Sequence, residues 1–426
     1  MKLRIPFLLT AGVAAVAMSA STALAGGFAL KERSAKAQGV SFAGATAGSG
    51  GLQSMGFNPA AIGMVEEAEI SGGLAFIQPI ADGVVSTTGE SVDADRFAGL
   101  ANSYVGYRFD PEFLVGLSLY TPFGLVTQYE PTSTVANDAL TSKLQTFVFA
   151  PTFAYQPDPS LTLAFSGNII YADARLTSGL LNLEGDRVSA GFSAGVMWKP
   201  TPSTQIGLAY DNGYDLTLLG TGTFSRTGAN ALAAAASNPA LVGLAGVVNP
   251  VEASAALPRT VSAGIIQSIT TDIRLMGEIQ WQQWSVFDEI ETTFSGAATG
   301  IVVTDEQNYD DAFFIAVGGE YDATQDLTLR LGAAWDQTPT NDDFLAGQVN
   351  SVNATNRTAR VPDEDRLWLS VGATYDMNDH MSLDLGYSYL FALEDPVVGL
   401  RNAAPGTQVV YDGGAHIFSI GGSLKF

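Results

Sequence analysis

The sequence predicts an all-β protein: a transmembrane antiparallel β-barrel of about fourteen strands, with an N-terminal plug inside the lumen. Hydrophobic residues make up 46% of the chain and charged residues only 15%, whereas a soluble domain carries about 25% charged residues. After the first 25 residues the chain has no run of the length that a membrane-spanning helix needs. Instead, short stretches alternate between apolar and polar residues, which is the pattern of barrel strands.

Residues 1–25 have the composition of a secretory signal peptide. Lys2 and Arg4 supply positive charge, a short apolar stretch follows, and Ala23 and Ala25 form an A-x-A cleavage site. The apolar stretch is too short to anchor the chain in a membrane. We therefore expect export and cleavage before Gly26, which moves the formal net charge from −23 to −25 because two basic residues are lost.

The composition also excludes several classes of function. A chain this acidic is a poor binder of nucleic acid. It has no cysteine for a disulfide framework, and its two histidines, His380 and His416, are too few for a His-rich metal site. We expect no metal and no cofactor.

Residues 26–67, which we call the hatch, precede the first predicted strand. They are rich in Gly, Ala and Ser and lack sustained alternation. A free periplasmic tail and a plug inside the lumen both fit this composition, and we favour the plug. Asn58 and Pro59 predict the start of a short helix, with Asn58 as its cap and Pro59 in its first position.

The remaining residues, 68–426, form the predicted barrel wall. Alternation is clearest near the C-terminus, where Leu383, Leu385 and Tyr387 alternate with Asp384 and Gly386. Many apolar faces end in aromatic residues, as in the girdles of outer-membrane barrels. The predicted strands span 68–80, 96–109, 113–122, 141–156, 160–176, 184–198, 203–224, 256–270, 272–289, 309–322, 326–337, 364–377, 380–394 and 413–426. Their even number places both ends of the wall on the periplasmic side.

Short and long connections alternate between these strands. The short ones, such as 156–159 and 199–202, are rich in Pro and Asp. The longer ones lie near 81–95, 126–140, 177–183, 225–257, 290–308, 338–363 and 395–412. Pro122 weakens the third strand because proline cannot donate a ladder hydrogen bond. The final Phe426 fits a C-terminal aromatic signal read by the barrel-assembly machinery, so we expect that partner together with outer-membrane lipid and lipopolysaccharide.

Five stretches occur in a recognisable order. They are Gly-Phe-Ala-Leu at 27–30, Asn-Pro-Ala at 58–60, Thr-Pro-Phe-Gly-Leu at 121–125, Trp-Gln-Gln-Trp-Ser-Val-Phe at 281–287, and Val-Pro-Asp-Glu-Asp-Arg-Leu-Trp-Leu-Ser at 361–370. Together they resemble the long-chain fatty-acid transport family of the outer membrane (FadL), over essentially the whole mature chain. The resemblance implies a fourteen-stranded barrel with an internal hatch and passive uptake of hydrophobic substrates. We expect the hatch to act as a gate through Gly26, Phe28, Asn58, Pro59 and Ala60.

The long segment 225–257 predicts two short apolar helices in an exposed loop. These helices either pack together as a cap or form an entry groove for acyl chains. The candidate groove residues are Phe123, Leu125, Leu232, Leu241, Val242 and Leu244. The chain departs here from familiar members of the family, whose loop after the fifth strand is long and helical, because its own loop is confined to about 176–183.

Three arginines, Arg274, Arg330 and Arg366, are candidate lumenal cations for a substrate carboxylate. They could equally form structural ion pairs. The available acidic partners are Glu278, Asp336 and Asp384. Where the resemblance leads us to look for a lysine after the Trp-rich stretch, the chain has acidic residues at 288, 289 and 291. Aromatic hydrocarbons, which another branch of the family takes up, therefore stay open as substrates.

The sequence thus predicts an outer-membrane transporter. It would capture hydrophobic molecules, with long-chain fatty acids favoured, in an extracellular apolar groove and release them past a mobile hatch. Aromatic hydrocarbon uptake is the alternative, and a general porin or an outer-membrane hydrolase is less favoured. A hydrolase needs a nucleophile beside a base, but neither histidine lies in such a constellation, so we expect no enzyme activity. We also expect a monomer.

Overall fold

The computed structural model describes residues 26–341 and 357–426. The predicted signal peptide, residues 1–25, and the middle of the predicted loop 338–363 lie outside the described residues. Within the described ranges the chain is almost entirely β-structure, and its helices are short. None of these helices is long and apolar enough to cross a membrane.

The strands in chain order are β1 (Ala68–Ile80), β2 (Asp82–Val85), β3 (Ser91–Asp93), β4 (Ala98–Asp110), β5 (Phe113–Tyr120), β6 (Gly124–Gln128), β7 (Thr141–Asp158), β8 (Leu161–Thr177), β9 (Leu181–Thr201), β10 (Thr204–Asp211), β11 (Tyr214–Phe224), β12 (Val248–Leu257), β13 (Thr260–Ser268), β14 (Ile273–Gln282), β15 (Glu289–Phe294), β16 (Val302–Glu306), β17 (Ala312–Asp322), β18 (Leu327–Asp336), β19 (Arg366–Asn378), β20 (Met381–Ala392), β21 (Val397–Gly399), β22 (Gln408–Tyr411) and β23 (Gly414–Lys425). The α-helices are α1 (Ala35–Gln38) and α2 (Arg226–Ala235), and 3₁₀ helices occupy Gly51–Gly56, Pro59–Met64, Thr134–Asn137, Pro239–Leu244, Trp284–Val286 and Gly296–Ala298.

The wall is a closed antiparallel barrel. Neighbouring strands pair around the ring, and β23 closes it by pairing with β1 along almost its whole length. Five wall strands are each divided in two, as β5 and β6, β10 and β11, β12 and β13, β14 and β15, and β16 and β17. When each divided strand is taken as one, the ring has fourteen strands, so the predicted count and topology are confirmed.

The two faces of the wall differ as the alternation predicts. On β18, Leu329 and Leu331 are exposed on the outer face, whereas Arg330 is buried on the lumenal face. Aromatic rings also stack along the outer face, for example Phe113 on Phe153, with centroids 5.9 Å apart. An outer face of this kind suits lipid, and the polar inner face suits a filled lumen.

Several wall strands extend beyond their predicted bounds. The eighth begins at Val248, within the segment 225–257 that was predicted to be loop, because β12 pairs with β11. The predicted loops 81–95 and 395–412 also contain four short strands, which form a separate sheet in the order β21-β22-β2-β3. The sequence analysis missed this sheet because strands of three or four residues show no measurable period.

The hatch lies inside the barrel. Nearly all of its residues are buried. It approaches wall glycines at widely separated positions on the ring: Gly116 on β5 faces Ile62, Gly207 on β10 faces Thr46, and Gly332 on β18 faces Val40. A segment that touches opposite sides of a closed ring must lie within the lumen. At Gly332, a Cβ atom would overlap the Val40 backbone, so glycine is what allows this contact.

This packing predicts that Gly332→Ala displaces the hatch without preventing wall assembly. The new methyl group would collide with the backbone of Val40, whereas the hydrogen bonds of β18 to its neighbours are unaffected. We expect heat-modifiable barrels of normal yield and a higher small-ion conductance in planar bilayers. Gly167→Ala on β8 is the matched control, because a Cβ atom at Gly167 meets no atom within 4 Å. Equal conductance of the two variants would contradict this prediction.

Candidate functional site

The first residues of the hatch form backbone hydrogen bonds across a gap in the third wall strand. The ladder of β5 ends at Tyr120 and resumes in β6 at Gly124. In the gap, the backbone N–H of Leu30 donates to the carbonyl of Pro122 (2.8 Å), and the N–H of Gly124 donates to the carbonyl of Phe28 (3.0 Å). The hatch thus supplies partners for backbone groups that the interrupted strand leaves unpaired.

This pairing places Phe28 at the centre of a buried aromatic cluster. Its ring makes edge-to-face contacts with Trp284 (centroids 4.8 Å apart), Phe287 (5.2 Å) and Phe123 (6.1 Å). Tyr214 contacts Phe123 from a further wall strand. Contacts of this kind contribute about 0.5–1.5 kcal/mol each beyond area burial. The cluster is therefore a firm constriction that joins the hatch to three wall strands.

An apolar cavity of about 110 Å³ lies on one side of the cluster. Phe28 and Phe287 line it, and the rest of its lining is almost entirely aliphatic. The aliphatic lining residues include Leu125, Leu144, Leu183, Leu216, Leu218, Val251, Leu257 and Ile290. Lys143 and Glu184 are the charged residues of the lining, and its aliphatic remainder can hold a hydrocarbon.

An extracellular groove of about 450 Å³ adjoins this cavity. The groove and the cavity share Leu176, Leu183 and Ile290, so these residues separate two adjacent spaces. Besides leucines the groove contains charged residues, including Arg360 and Asp138. Burial lowers the pKa of Arg360 and raises the pKa of Asp138.

A polar chamber lies on the other side of the aromatic cluster, where Phe123 forms part of the boundary. The hatch residues Lys31 and Arg33 line it, together with Asp211 and Gln280 of the wall. The groove, the apolar cavity and the polar chamber therefore follow one another, with the Phe28 cluster between the second and the third.

The expected gate residues lie towards the two ends of the hatch, with Gly26 and Phe28 at its start and Asn58, Pro59 and Ala60 near its end. The Asn58 side chain caps the 3₁₀ helix Pro59–Met64 by accepting from the Ala60 N–H (2.9 Å), as the sequence predicted. Its Nδ2 also donates to the carbonyls of Thr46 (2.8 Å) and Val196 of β9 (3.1 Å). Asn58 thus caps a hatch helix and also links the hatch to the wall by a hydrogen bond. Gly26 begins the described chain with a positive φ of 52°.

The structure does not bring all six predicted groove residues together. Leu125 lines the apolar cavity, Phe123 lines the polar chamber and Leu232 lines the extracellular groove. Leu244 is buried in a separate cluster with Phe224 and Phe294, against which Leu241 packs, and Val242 is exposed. The second predicted helix, the 3₁₀ helix Pro239–Leu244, therefore packs against the cluster of Phe224 and Phe294. The first predicted helix, α2, borders the groove through Leu232.

The three predicted lumenal cations are all engaged in ion pairs. Arg274 contacts Glu320 (2.8 Å) and Asp322 (2.7 Å), and Arg330 contacts Glu320 (2.7 Å). Arg366 contacts Asp363. Glu320, Asp322 and Asp363 are thus the direct ion-pair partners among the described residues, and Asp336, one of the available partners, also acts electrostatically on Arg366. None of the three arginines lines the groove, the apolar cavity or the polar chamber.

Sequence reasoning missed Lys31 and Arg33. The available signal was three consecutive charged residues, 31–33, in a segment otherwise made of small residues. Residues 26–341 and 357–426 also contain no group of three or more His, Cys, Asp and Glu side chains placed to hold a metal ion.

Comparison with known proteins gives consistent matches along the chain. The family model "Outer membrane protein transport protein (OMPP1/FadL/TodX)" matches residues 16–426. A long-chain fatty acid transport protein of Escherichia coli O6:H1 is 26% identical, over 90% of this chain and 91% of that protein. The crystal structure of a Pseudomonas aeruginosa FadL homologue is similar at a TM-score of 0.77 and 21% identity, covering 94% of this chain and all of that one. The Pseudomonas putida toluene transporter TodX is similar at a TM-score of 0.66 and 17% identity, covering 94% and 99%.

The Asn58 contacts predict the effect of the double substitution Asn58→Ala and Pro59→Gly. It removes a cap that contributes about 1 kcal/mol and two hydrogen bonds, one of them to the wall. Glycine also adds freedom to the unfolded hatch. We expect normal membrane insertion, altered uptake of hydrophobic substrate and a higher small-ion conductance.

The control is the same double substitution at Asn238 and Pro239, an equivalent cap in the extracellular loop. This cap makes the same bond, from the Ala240 N–H (3.2 Å), but lies outside the hatch. If the hatch variant matches both the wild type and this control in uptake and conductance, Asn58 and Pro59 do not hold the gate.

Proposed function

The chain belongs to the outer membrane protein transport protein family (OMPP1/FadL/TodX), and from that membership we propose that it takes up hydrophobic molecules passively through the outer membrane. The observation that carries this proposal is that the extracellular groove lies next to an apolar cavity lined by Phe28 of the hatch, with Leu176, Leu183 and Ile290 common to both. The protein is an outer-membrane β-barrel, as its closed antiparallel wall and its family indicate.

Transport begins with capture in the extracellular groove. The leucines at the contact between groove and cavity offer an apolar path for a molecule that leaves water, and burial stabilises it by about 25 cal/mol for each Å² of apolar surface. The molecule then enters the apolar cavity and reaches the Phe28 cluster. Passage further requires the hatch to move, because Phe28 belongs to the hatch and blocks the path with Trp284 and Phe287.

We assign residues 26–67 to the hatch and 68–426 to the wall on the basis of these contacts. The gate would use Gly26, Phe28, Asn58, Pro59 and Ala60. A barrel of fourteen strands encloses a wide lumen, so a closed hatch prevents ion leakage between transport events. The hatch can respond to a substrate only if its two positions are close in free energy, because a ligand shifts an equilibrium by no more than its differential affinity.

Long-chain fatty acids are the substrates that we favour. A relative that aligns over nine-tenths of both chains is named a long-chain fatty acid transport protein, and the aliphatic lining of the cavity suits an acyl chain. Aromatic hydrocarbons are the second candidate. The engagement of Arg274, Arg330 and Arg366 in ion pairs favours them, since a neutral substrate needs no cation.

We propose no catalytic activity, because the family to which the chain belongs is described as one of transport proteins. We further propose that the chain works as a monomer in contact with outer-membrane lipid and lipopolysaccharide. Its insertion would depend on the barrel-assembly machinery, which would read the terminal Phe426.

The path predicts that Leu183→Glu lowers hydrophobic uptake at least tenfold. Leu183 borders both the groove and the apolar cavity, and a carboxylate there would add a charge that the apolar lining cannot solvate. Uptake of radiolabelled oleic acid and of toluene by cells that express equal amounts of folded barrel measures the effect. Neutral and acidic substrates should both be affected.

The control is Asn182→Glu, one residue away on β9. Asn182 is exposed and lies on the opposite face of the strand, so its substitution adds the same charge outside the path. Wild-type uptake of both compounds by the Leu183 variant would overturn the proposed path. Equal loss in both variants would attribute the effect to charge at the loop and not to the path.

A further inference from the structure

We propose that removal of the signal peptide creates an ion pair inside the lumen, in which the α-ammonium group of Gly26 binds Asp336 and Asp363 and fixes the first residues of the hatch. This inference goes beyond the proposed function, because it rests on the expected cleavage before Gly26 and not on what the protein transports. The site forms only in the processed chain, since the nitrogen of an uncleaved Gly26 is an uncharged peptide nitrogen.

The backbone of Gly26 lies among acceptor oxygens of the wall. A Cβ atom built on its Cα would lie 3.3 Å from Asp336 Oδ1 and 3.4 Å from Gln282 Oε1. The next nitrogen along the chain, the Gly27 N–H, donates to Asp363 Oδ2 (2.8 Å). The α-amino nitrogen is bonded to the same Cα, so rotation of this terminal residue brings an ammonium within reach of both carboxylates.

Both carboxylates are held in place by wall residues. Asp336 ends β18, and its Oδ2 accepts from Trp368 Nε1 of β19 (3.3 Å). Asp363 accepts from Thr338 Oγ1 (2.7 Å) and contacts the guanidinium of Arg366. Oδ1 of Asp336 is the oxygen nearest to a Cβ atom on Gly26. The arrival of an ammonium there would not require these two acids to be repositioned.

The charges around Gly26 favour a further cation. Lys31 and Arg366 are the buried bases, and acidic residues act electrostatically on both. Arg33 also acts on Lys31, but it acts on Asp211 as well. The buried acids that act on Lys31 or contact Arg366 are Glu32, Glu278, Asp336 and Asp363. Four buried acids thus share two buried bases, and half-exposed Asp365 adds repulsion at Asp336. A buried carboxylate requires a counter-charge, which the α-ammonium supplies.

The proposed ion pair lies two residues before Phe28. It would hold one end of a short segment, and the hydrogen bond of the Leu30 N–H to the carbonyl of Pro122 holds the other. A hydrogen bond from a charged donor is roughly twice as strong as one between neutral groups. Processing would therefore strengthen the attachment of the segment that carries Phe28 into the constriction.

The first test measures protonation of the Gly26 α-amino group. The purified full barrel in detergent is acetylated with acetic anhydride over a range of pH, and mass spectrometry identifies and quantifies the N-terminal peptide. We expect an α-amino pKa at least ~1 pH unit above the ordinary value of about 8, because two carboxylates stabilise the ammonium. Burial without an ion pair would lower this pKa, so the direction distinguishes the two explanations.

Asp336→Asn and Asp363→Asn should each return the α-amino pKa towards its ordinary value. Asp384→Asn is the matched control, since Asp384 is an equally buried lumenal acid that accepts from Thr374, and it should leave the pKa unchanged. An α-amino pKa at or below the ordinary value in the wild type would overturn the proposal. An N-terminus other than Gly26, or an equal effect of Asp384→Asn, would also overturn it.

The second test moves the ammonium without removing any residue. Ser-Gly is inserted between Ala25 and Gly26, so that cleavage leaves the charge two residues before Gly26. We expect heat-modifiable barrels of normal yield and a small-ion conductance at least threefold above the wild type. The control carries Ser-Gly after Gly89, in an exposed turn where a Cβ atom meets nothing within 4 Å, and it should conduct like the wild type. Wild-type conductance of the N-terminally extended barrel would show that the ammonium does not fix the hatch.

Discussion

The structure depends on one constraint, which is that lipid offers no hydrogen-bond partner to a backbone N–H or carbonyl group. A wall that satisfies this constraint must close on itself, and it does so where β23 pairs with β1. The third wall strand cannot satisfy it alone, because the ladder stops on both sides of Pro122. The hatch completes it from inside through Leu30 and Phe28. The same bonds that complete the wall therefore position Phe28 at the constriction.

Closure of the wall creates a lumen, and small residues on both surfaces allow the hatch to fill it. Gly39 of the hatch meets Gly372 of β19, and Val40 meets Gly332 of β18, backbone against backbone. Side chains at the two wall positions would hold the hatch away from the wall. Hydrogen bonds then fix the position of the hatch relative to the wall. For example, Asn58 Nδ2 donates to the carbonyl of Val196 on β9.

Charge is distributed unevenly along the lumen. The arginines and acids of β14, β17 and β18 pair with one another across neighbouring strands, which stabilises the wall but leaves little free charge. The apolar cavity contains Lys143 and Glu184 among a lining that is otherwise almost wholly apolar. Lys31 and Arg33, carried by the hatch, line the polar chamber together with Asp211, and acidic residues also act electrostatically on Lys31. A molecule that moves inward thus passes Arg360 in the groove and Lys143 in the apolar cavity before it reaches the polar chamber.

Much of the wall could be predicted because the patterns that specify strands and caps involve only residues close together in sequence. Period-two alternation assigns each residue to one face, so Leu385 and Asp384 were correctly placed on opposite faces of the wall, where Leu385 is exposed and Asp384 is buried. Pro122 was identified as the weak point of the third strand, and Asn58 as a helix cap, because proline geometry and capping involve only a few neighbouring residues. The fourteen strands followed from the same local signals.

The tertiary structure decided what no local pattern encodes. The sheet β21-β22-β2-β3 joins loops that are about 300 residues apart in sequence. Glu320 became the partner of both Arg274 and Arg330 because three strands carry these side chains to one side of the lumen. By itself the sequence determined which residues face lipid and which face inward, since strand geometry depends on adjacent residues. Only closure of the ring around the hatch decided which inward-facing residues meet, because those contacts depend on the register of every strand between them.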